Sequence, residues 1–490
     1  MTTVAISSQA GIIDWSGPYK LSIGGKLVDG TSTFDVVNPA TDEVIAQAPA
    51  ASAQQMDEAV AAARAAFPAW SALSWEERSA YVQRYADALE AQSADLARLL
   101  TTEQGKPLKA PPGRVGAEAE TGAAVYWVRE VGLRKLPVEV MEDTDEHWVE
   151  VHHTPLGVVG AILPWNFPVL LGLWKVAPCL ITGNTMVLKP APTTPLTSLR
   201  FGEIAQEIFP PGVLNIVSGP NELGQQLTEH PNVDKISFTG STATGKKIMA
   251  SSSGTLKRVT LELGGNDPAI VLPGAEVTDE LVNTLFEASF GNSGQWCIAV
   301  KRLYVHDSIY DAFRDKFVAI AASKKVGNGL EEGVDFGPIQ NKMQYGKLID
   351  MFADVEKNGY EVPVGGKIDE SLPGNFVPLT VVDNPPHDSR IVQEEPFGPI
   401  LPLIKYSDVD EAVAKANDTR FGLGGSVWGP QPLANEVALR IETGTVWVNE
   451  IHVHGIDLPF GGHKESGVGV ENGAEGLAEF TNTKTLMFKK

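Results

Sequence analysis

Cysteine is nearly absent from this chain. Two residues, Cys179 and Cys297, among 490 cannot build a disulfide framework. Neither stands beside a second cysteine or paired histidines at metal-ligand spacing, so no metal is expected. Cationic charge is also scarce: 39 Lys and Arg face 61 Asp and Glu, for a net charge of −22. No basic stripe offsets that balance, which excludes nucleic acid as an expected partner. No run of about 18 apolar residues is present to cross a bilayer, so no membrane partner is expected either. Met1 to Trp15 has no basic start leading into a long apolar stretch, and no lipidation motif is seen, which makes cytoplasm the expected location. Low-complexity segments and short-period repeats are missing. What is there is an ordinary globular composition, 43% apolar and 20% charged. The length suits roughly three domains or two large lobes.

Lys20 to Ala48 alternates apolar and polar residues around the turn signals Asp29-Gly30 and Asn38-Pro39, which predicts short strands. Ser52 with Gln55 and Ser74 with Glu77 are capping boxes, and the periodicity behind them predicts helices to Ala66 and to Leu100. A third helix is predicted from Gly116 to Val131. The alternating, charge-rich stretch Leu136 to His153 reads as a strand pair whose edges need cover. From Leu156 onward, short apolar runs alternate with helical patterns: Val158 to Leu163, Thr185 to Leu188, Val213 to Val217, Lys235 to Phe238 and Val259 to Leu263. That alternation predicts a parallel sheet with crossover helices, whose ligand lies at the carboxyl ends of the strands. A second α/β pass follows, with helices predicted at Tyr310 to Ser323, Gln344 to Asn358 and Val409 to Ala416, and an extended segment at Thr445 to Asn449.

Cys297 sits in Gly-Asn-Ser-Gly-Gln-Trp-Cys-Ile-Ala, residues 291–299, a glycine-bounded turn between a helical pattern and an apolar strand pattern. A thiol on a turn at the end of a strand suits a nucleophile; a buried free cysteine that only fills space is the equal alternative from this stretch alone. The strand ends carry further unusual residues. They are Pro164-Trp165-Asn166-Phe167-Pro168, Leu188-Lys189-Pro190-Ala191-Pro192, and Phe238-Thr239-Gly240-Ser241 with Gly245 following. Gly240 and Gly245 open a helix, so free backbone amides and the positive end of the helix dipole would face a phosphate, unless the glycines only make a tight turn. Lys189 either reaches a ribose or points into solvent. Leu261-Glu262-Leu263-Gly264-Gly265-Asn266 sets a carboxylate among apolar neighbours, where burial raises its pKa toward a general base's working range.

With Glu394-Glu395-Pro396-Phe397-Gly398-Pro399 and Pro459-Phe460-Gly461-Gly462 added, the motifs stand in the order and spacing of the NAD(P)-dependent aldehyde dehydrogenases, which the chain resembles from about Asp35 to Lys484. The resemblance settles Cys297 as the nucleophile. It implies an α/β fold with a Rossmann-type cofactor domain (1–134 and 155–263), an α/β catalytic domain (264–462) and a connecting segment (463–479). A small β oligomerisation element (135–154 and 480–490) would build a homodimer or homotetramer by extending a neighbour's sheet.

The chemistry implied is attack of Cys297 on an aldehyde, hydride transfer to the cofactor, and hydrolysis of a thioester by water that Glu262 deprotonates. Asn166 and the backbone amide of Cys297 would stabilise the oxyanion. Lys175 and Glu471 are weaker matches, for charge balance near Glu262 and for proton relay. Their alternatives are a helix-face cap and a solvated surface acid. For the cofactor, the resemblance implies Lys189 at the adenosine ribose, Glu395 at the nicotinamide ribose, Phe397 beside the ring, and Gly240 and Ser241 at the pyrophosphate. Pro164, Trp165, Pro192, Gly219, Gly224, Phe238, Gly245 and Leu263 complete that set. NAD-selective relatives carry a glutamate where this chain has Pro192, so NAD is expected to work and NADP to be tolerated. Cys179, in an apolar helix, is expected to be structural.

The matching substrate tunnel would be Phe167, Leu171, Trp174, Trp296, Ile298, His452, His454 and Phe460. Its aromatic walls point to medium-sized aliphatic or aromatic aldehydes. The two histidines depart from the usual apolar lining; they either bind a polar group on the distal part of the substrate or face solvent. A coenzyme A-acylating dehydrogenase would typically lack Glu262, a cofactor-independent thiol hydrolase would not need Lys189 and Glu395, and a silent structural member would have lost Cys297 or Glu262.

Overall fold

The computed structural model describes residues 17–110 and 115–490; Met1 to Trp15 lies outside them. Two α/β sheets organise the chain. The first runs in the order Lys26–Val28, Leu21–Ile23, Leu214–Ile216, Thr185–Lys189, Val158–Ile162, Lys235–Thr239, Arg258–Glu262, Gly467–Val468. Its five central strands are parallel, and Leu21–Ile23 and Gly467–Val468 add to either side antiparallel. The parallel part starts in the middle at Val158–Ile162, steps outward through Thr185–Lys189 to Leu214–Ile216, then crosses back to Lys235–Thr239. That reversal opens a crevice at the carboxyl ends of Val158–Ile162 and Lys235–Thr239, where a dinucleotide-binding sheet takes its ligand. The residues after those two strands are Pro164 to Phe167 and Gly240 to Ser241.

The second sheet is ordered Glu361–Val364, Thr380–Asp383, Ile400–Tyr406, Val300–His306, Asp267–Val271, Gly424–Trp428, Thr445–Val448, and only Glu361–Val364 runs antiparallel. Both its faces are covered. Along Asp267–Val271, Ala269 and Val271 join one core while Ile270 joins the other, the period of two that a pleated strand imposes. The two sheets are joined by only four residues, Leu263 to Asn266, so the end of the first sheet and the start of the second meet at Glu262.

The third sheet, Thr481–Lys489 paired with His147–Pro155 and that with Glu139–Asp143, is antiparallel throughout. Val140, Met141, Met487 and Phe488 are exposed on it. The segment 463–479 is more than a connection, because Gly467–Val468 pairs with the strand ending in Glu262. Both capping boxes form. The helix predicted to Leu100 is instead two, Trp75–Ala91 and Ser93–Gln104, broken at Gln92 with φ −118°. Periodicity hides the break because apolar residues on both sides bury into one core. Among the described residues no helix is long and apolar enough to cross a membrane.

Candidate active site

The turn that carries Cys297 is held in an uncommon conformation. After the helix Asp279–Phe290, residues Asn292, Ser293 and Gly294 follow with φ of 53°, 57° and 70°. Successive left-handed residues are unfavourable for side chains with a Cβ and persist only where surroundings fix them. Here they do. Asn292 Nδ2 donates to the carbonyls of Asn166 (3.1 Å) and Gln295 (3.2 Å), and Ser293 Oγ to that of Gly337 (2.7 Å). Gln295 Nε2 donates to the Pro338 carbonyl at 3.2 Å while its Oε1 accepts from Gln340 N at 2.9 Å. A Cβ at Gly294 would lie 2.3 Å from the Gly398 carbonyl oxygen, so the turn lies directly on the Glu395-Pro396-Phe397-Gly398 segment. Cys297 then leads into the N-terminal end of Val300–His306 and keeps part of its surface open. Burial of its sulfur pushes the thiol up to about 12; Lys301 pulls it down, and Asp267, Glu395 and Glu262 add to the rise.

Asn166 is fixed from two sides. Its Nδ2 donates to the Gln295 carbonyl at 3.1 Å, which places the amide against the Cys297 turn. Its own carbonyl accepts from Lys106 Nζ at 2.9 Å. Lys106 is paired with Glu120, both side chains fully buried, and Glu120 accepts from the amides of Val169 (3.0 Å) and Leu170 (3.2 Å). Phe167 precedes the helix Pro168–Ile181 and offers no capping side chain, so the Glu120 carboxylate caps that N-terminus and meets the helix dipole from another part of the chain.

Glu262 ends its strand 4% exposed, and among the described residues neither carboxylate oxygen has a hydrogen-bond donor. Burial drives its pKa well above the usual carboxylate range; Glu471 pushes the same way and Lys175 opposes. Lys175 and Glu471 form a buried ion pair, and Ser237 Oγ lies 3.5 Å from the Glu471 carboxylate. Neither is a surface group, so the helix-face and solvated-acid alternatives fall. Cys179 is fully buried, its thiol pushed well up.

Lys189 is 2% exposed rather than in solvent. Its ammonium has a 3.4 Å contact to the Pro190 carbonyl, burial lowers its pKa to about 8, and Glu222 opposes that fall. A Cβ at Gly224 would come only to 3.7 Å from the Lys189 side chain. Pro192 and Gly240 are half-buried and Ser241 is exposed. The expectation of free amides at Gly240 and Gly245 is corrected. Gly240 N donates to the Glu262 carbonyl at 2.9 Å and Gly245 N to that of Ser241 at 3.0 Å. The second glycine serves close packing instead, since a Cβ there would meet Leu263 at 2.5 Å, and Ser241 caps the helix Thr242–Ser252. Gly219 has φ 148°, and Phe238, one residue before the end of its strand, is buried with its ring against Gly240. Glu395 Oε1 accepts from Gly265 N at 3.1 Å, and burial raises its pKa. Phe397 is held at φ 48° with its ring edge-on to Trp165 at 5.4 Å, beside half-buried Pro164.

The tunnel residues form a continuous line of rings. Phe167 meets Trp296 (5.5 Å), Trp296 meets His452 (4.1 Å), and Trp447 touches both His452 (5.8 Å) and His454 (5.7 Å). His454 then meets Phe460 (5.5 Å) and Trp174 (6.5 Å). Leu171 is half-buried, and Ile298 is buried with its carbonyl against His452. The histidines are therefore half-buried among these rings rather than loop residues turned to solvent. Burial lowers their pKa values, to about 3 for His452 and about 4 for His454, so both are neutral near pH 7. His452 Nε2 lies 2.7 Å from the Ile298 carbonyl; a carbonyl only accepts, so this nitrogen carries the hydrogen and Nδ1 is left as an acceptor. Trp174 is 7% exposed and its indole N–H has no acceptor among the described residues.

Lys106, Glu120, Gln295, Asp267, Lys301 and Trp447 were not singled out in the sequence. Lys106 stands 60 residues from the carbonyl it holds, and no local pattern marks such a pairing. The Gly-Lys-Pro at 105–107 was the one available signal.

The model of the aldehyde dehydrogenase family matches residues 27–486. The chain is 40% identical to aldehyde dehydrogenase LUC3 of a Fusarium species over 470 residues, 96% of this chain and 98% of that one. It is 39% identical to phenylacetaldehyde dehydrogenase of Pseudomonas fluorescens, covering 96% of each. The fold is similar to that of betaine aldehyde dehydrogenase from Staphylococcus aureus in complex with NAD+, with a TM-score of 0.91, 32% identity, and 96% of this chain and 94% of that one covered.

Proposed function

Because the chain belongs to the aldehyde dehydrogenase family, we propose that it oxidises an aldehyde to the carboxylic acid with NAD, through covalent chemistry on Cys297 and hydrolysis driven by Glu262. The residues present fit the cofactor. Lys189 is a buried ammonium with one long contact, the Cβ-free Gly224 lies beside it, and Glu395 is a half-buried carboxylate held by the Gly265 amide. Lys189 would hold the adenosine ribose and Glu395 the nicotinamide ribose, with Phe397 and Trp165 beside the ring and Ser241 at the pyrophosphate. NAD, when bound, supplies the hydride acceptor.

The Cys297 thiol gives up its proton to water, its Sγ bonds to the aldehyde carbon, and the carbonyl oxygen takes up negative charge that the Asn166 amide and the Cys297 N–H stabilise. Loss of the hydride leaves an acyl group on Cys297. Glu262 then removes a proton from water as the water attacks that thioester; the C–S bond breaks, the thiol recovers a proton and the acid leaves. The single observation that carries this reading is the Glu262 carboxylate itself, buried, without a hydrogen-bond partner among the described residues, and close enough in charge to act on Cys297. Burial without a donor costs about 1–3 kcal/mol or more and gives the fold nothing in return, whereas a base that must bind water needs those oxygens free. Glu471 would carry the proton onward, with Lys175, its buried ion-pair partner, balancing the charge near Glu262.

The ring-lined tunnel suits medium-sized aliphatic or aromatic aldehydes, in line with the phenylacetaldehyde activity named for one relative. His454, with the Nδ1 acceptor of His452 nearby, would bind a polar group on the distal part of the substrate. Pro192 offers no charge to repel a 2′-phosphate, so NADP is tolerated, although Glu222 near Lys189 supplies part of that repulsion. The exposed apolar residues of the third sheet favour a dimer or tetramer built through it.

The test is a panel of aldehydes with NAD and without coenzyme A. Aldehyde-dependent formation of reduced nicotinamide with release of acid is expected. Its absence for every aldehyde, or its dependence on coenzyme A, would overturn the reading.

A further inference from the structure

One buried cation serves both the nucleophile's turn and the carboxylate assigned to the cofactor. Lys301, 3% exposed, donates from Nζ to the carbonyl of Cys297 at 2.6 Å, of Trp296 at 2.9 Å and of Ala299 at 3.4 Å, and stands 3.4 Å from Glu395 Oε1. It reaches them because the strand is irregular there. In the pairing of Asp267–Val271 with Val300–His306, Asp267 opposes Val300 and Pro268 opposes Arg302, so Lys301 is the extra residue of a bulge. A bulge re-aims a side chain, and this one returns Lys301 over the preceding turn. Its neighbour shows the contrast. Arg302, equally buried, sends its guanidinium to the carbonyls of Asn266, Lys415 and Ala416, the last two at the end of the helix Val409–Asn417. Arg302 caps a helix; Lys301 caps the catalytic turn.

We propose that Lys301 is a positioning residue that orients the Cys297 turn and couples it to occupation of Glu395 by the cofactor's ribose. The proposal rests on the assignment of Glu395 to that ribose. Hydroxyls that donate to Glu395 take up part of the negative charge Lys301 now shares, which leaves the ammonium more fully with the turn. Of the charged groups acting on Cys297, Lys301 favours the thiolate while Asp267, Glu395 and Glu262 oppose it. Cofactor binding would thereby prime the nucleophile.

The experiment is the rate of Cys297 alkylation by iodoacetamide between pH 6 and 9, with and without NAD, followed by mass spectrometry so that buried Cys179 is counted separately. Wild type, Lys301→Met and Lys301→Arg are compared, each checked for folding. Removing the charge is expected to slow alkylation at pH 8 about tenfold or more, equivalent to one unit of thiol pKa. The ratio of rates with and without NAD is expected to be about threefold higher in wild type and Lys301→Arg than in Lys301→Met, which also removes any common shielding by the cofactor. In turnover, Lys301→Met should lose kcat with little change in KM for the aldehyde, and Lys301→Arg should recover part of it. Equal alkylation profiles and equal NAD ratios in wild type and Lys301→Met would overturn the proposal. Should the methionine variant not fold, Lys301→Gln replaces it as the neutral variant with the same expectation, and a wild-type ratio unaffected by NAD across the pH range overturns the coupling. Wild-type reduction of NAD by aldehyde is recorded in parallel: its absence removes the assigned reaction, whereas loss of only the Lys301 effects removes this proposal alone.

Discussion

Replacing Lys106 by Met would strip the cation from a pair in which neither side chain is exposed, leaving the Glu120 carboxylate buried without its counter-charge. Breaking a buried pair from one side typically costs about 3–5 kcal/mol. Glu120 keeps the Val169 and Leu170 amides, which places the expected loss near the low end, about 3 kcal/mol. The effect on chemistry should be smaller. Asn166 loses the Lys106 donor at 2.9 Å but keeps Asn292 Nδ2 at 3.1 Å on its carbonyl and its own grip on Gln295, so the oxyanion amide drifts rather than leaves. A fall in kcat of about tenfold, about 1.4 kcal/mol, is expected. Urea unfolding followed by tryptophan fluorescence measures the first quantity and steady-state kinetics the second, in wild type, Lys106→Met and the double variant Lys106→Met, Glu120→Gln. The double variant should regain part of the stability, because no bare charge remains, and none of the kcat. A loss below about 1 kcal/mol in Lys106→Met, or a double variant less stable than the single, would refute the reasoning.

Other consequences follow from the same contacts. His454→Phe should lower kcat/KM for aldehydes with a distal hydroxyl more than for plain ones of equal size; an unchanged ranking across the panel removes the polar contact. Because the His454 pKa is depressed to about 4, the unfolded chain binds the extra proton between there and about 6.5, so this residue contributes stability above pH 6.5 that is lost as pH falls toward 4. His454→Phe should flatten that part of the stability profile, and an equally steep acid loss in the variant would contradict the burial of this imidazole. Glu222→Gln should raise kcat/KM for NADP relative to NAD, by about tenfold at most for a partly screened charge. A wild-type preference for NAD above about 1,000-fold, roughly 4 kcal/mol, would mean that something beyond position 192 excludes the phosphate.

The sequence was informative where function is written locally. The glycine-bounded stretch 291–299 marks a turn, and the strand-helix alternation from Val158 to Glu262 places Asn166, Lys189 and Glu262 at strand ends on periodicity alone. Other features have no local signature. Glycines at 291 and 294 announce a turn but not that Asn292 and Ser293 adopt left-handed conformations, which long-range contacts to Asn166 and Gly337 impose. The bulge that turns Lys301 back depends on the register of a strand more than thirty residues earlier. Glu120 caps a helix that begins 48 residues later, at Pro168, a pairing that no capping pattern encodes. Gly240 and Gly245 misled for the opposite reason, since their amides are claimed by Glu262 and Ser241 once the chain folds.

The central claim is the division of labour between Cys297 and Glu262, and pre-steady-state formation of reduced nicotinamide by Glu262→Gln tests it most directly. The glutamine keeps the size but cannot take a proton, so thioester formation should survive and hydrolysis should fail. Mixed with excess aldehyde and NAD, this variant is predicted to give a burst of up to about one equivalent of reduced nicotinamide per site followed by very slow turnover, while Cys297→Ala gives neither. Absence of the burst would move Glu262 to activation of the thiol, and near-normal steady turnover would remove it from the essential chemistry.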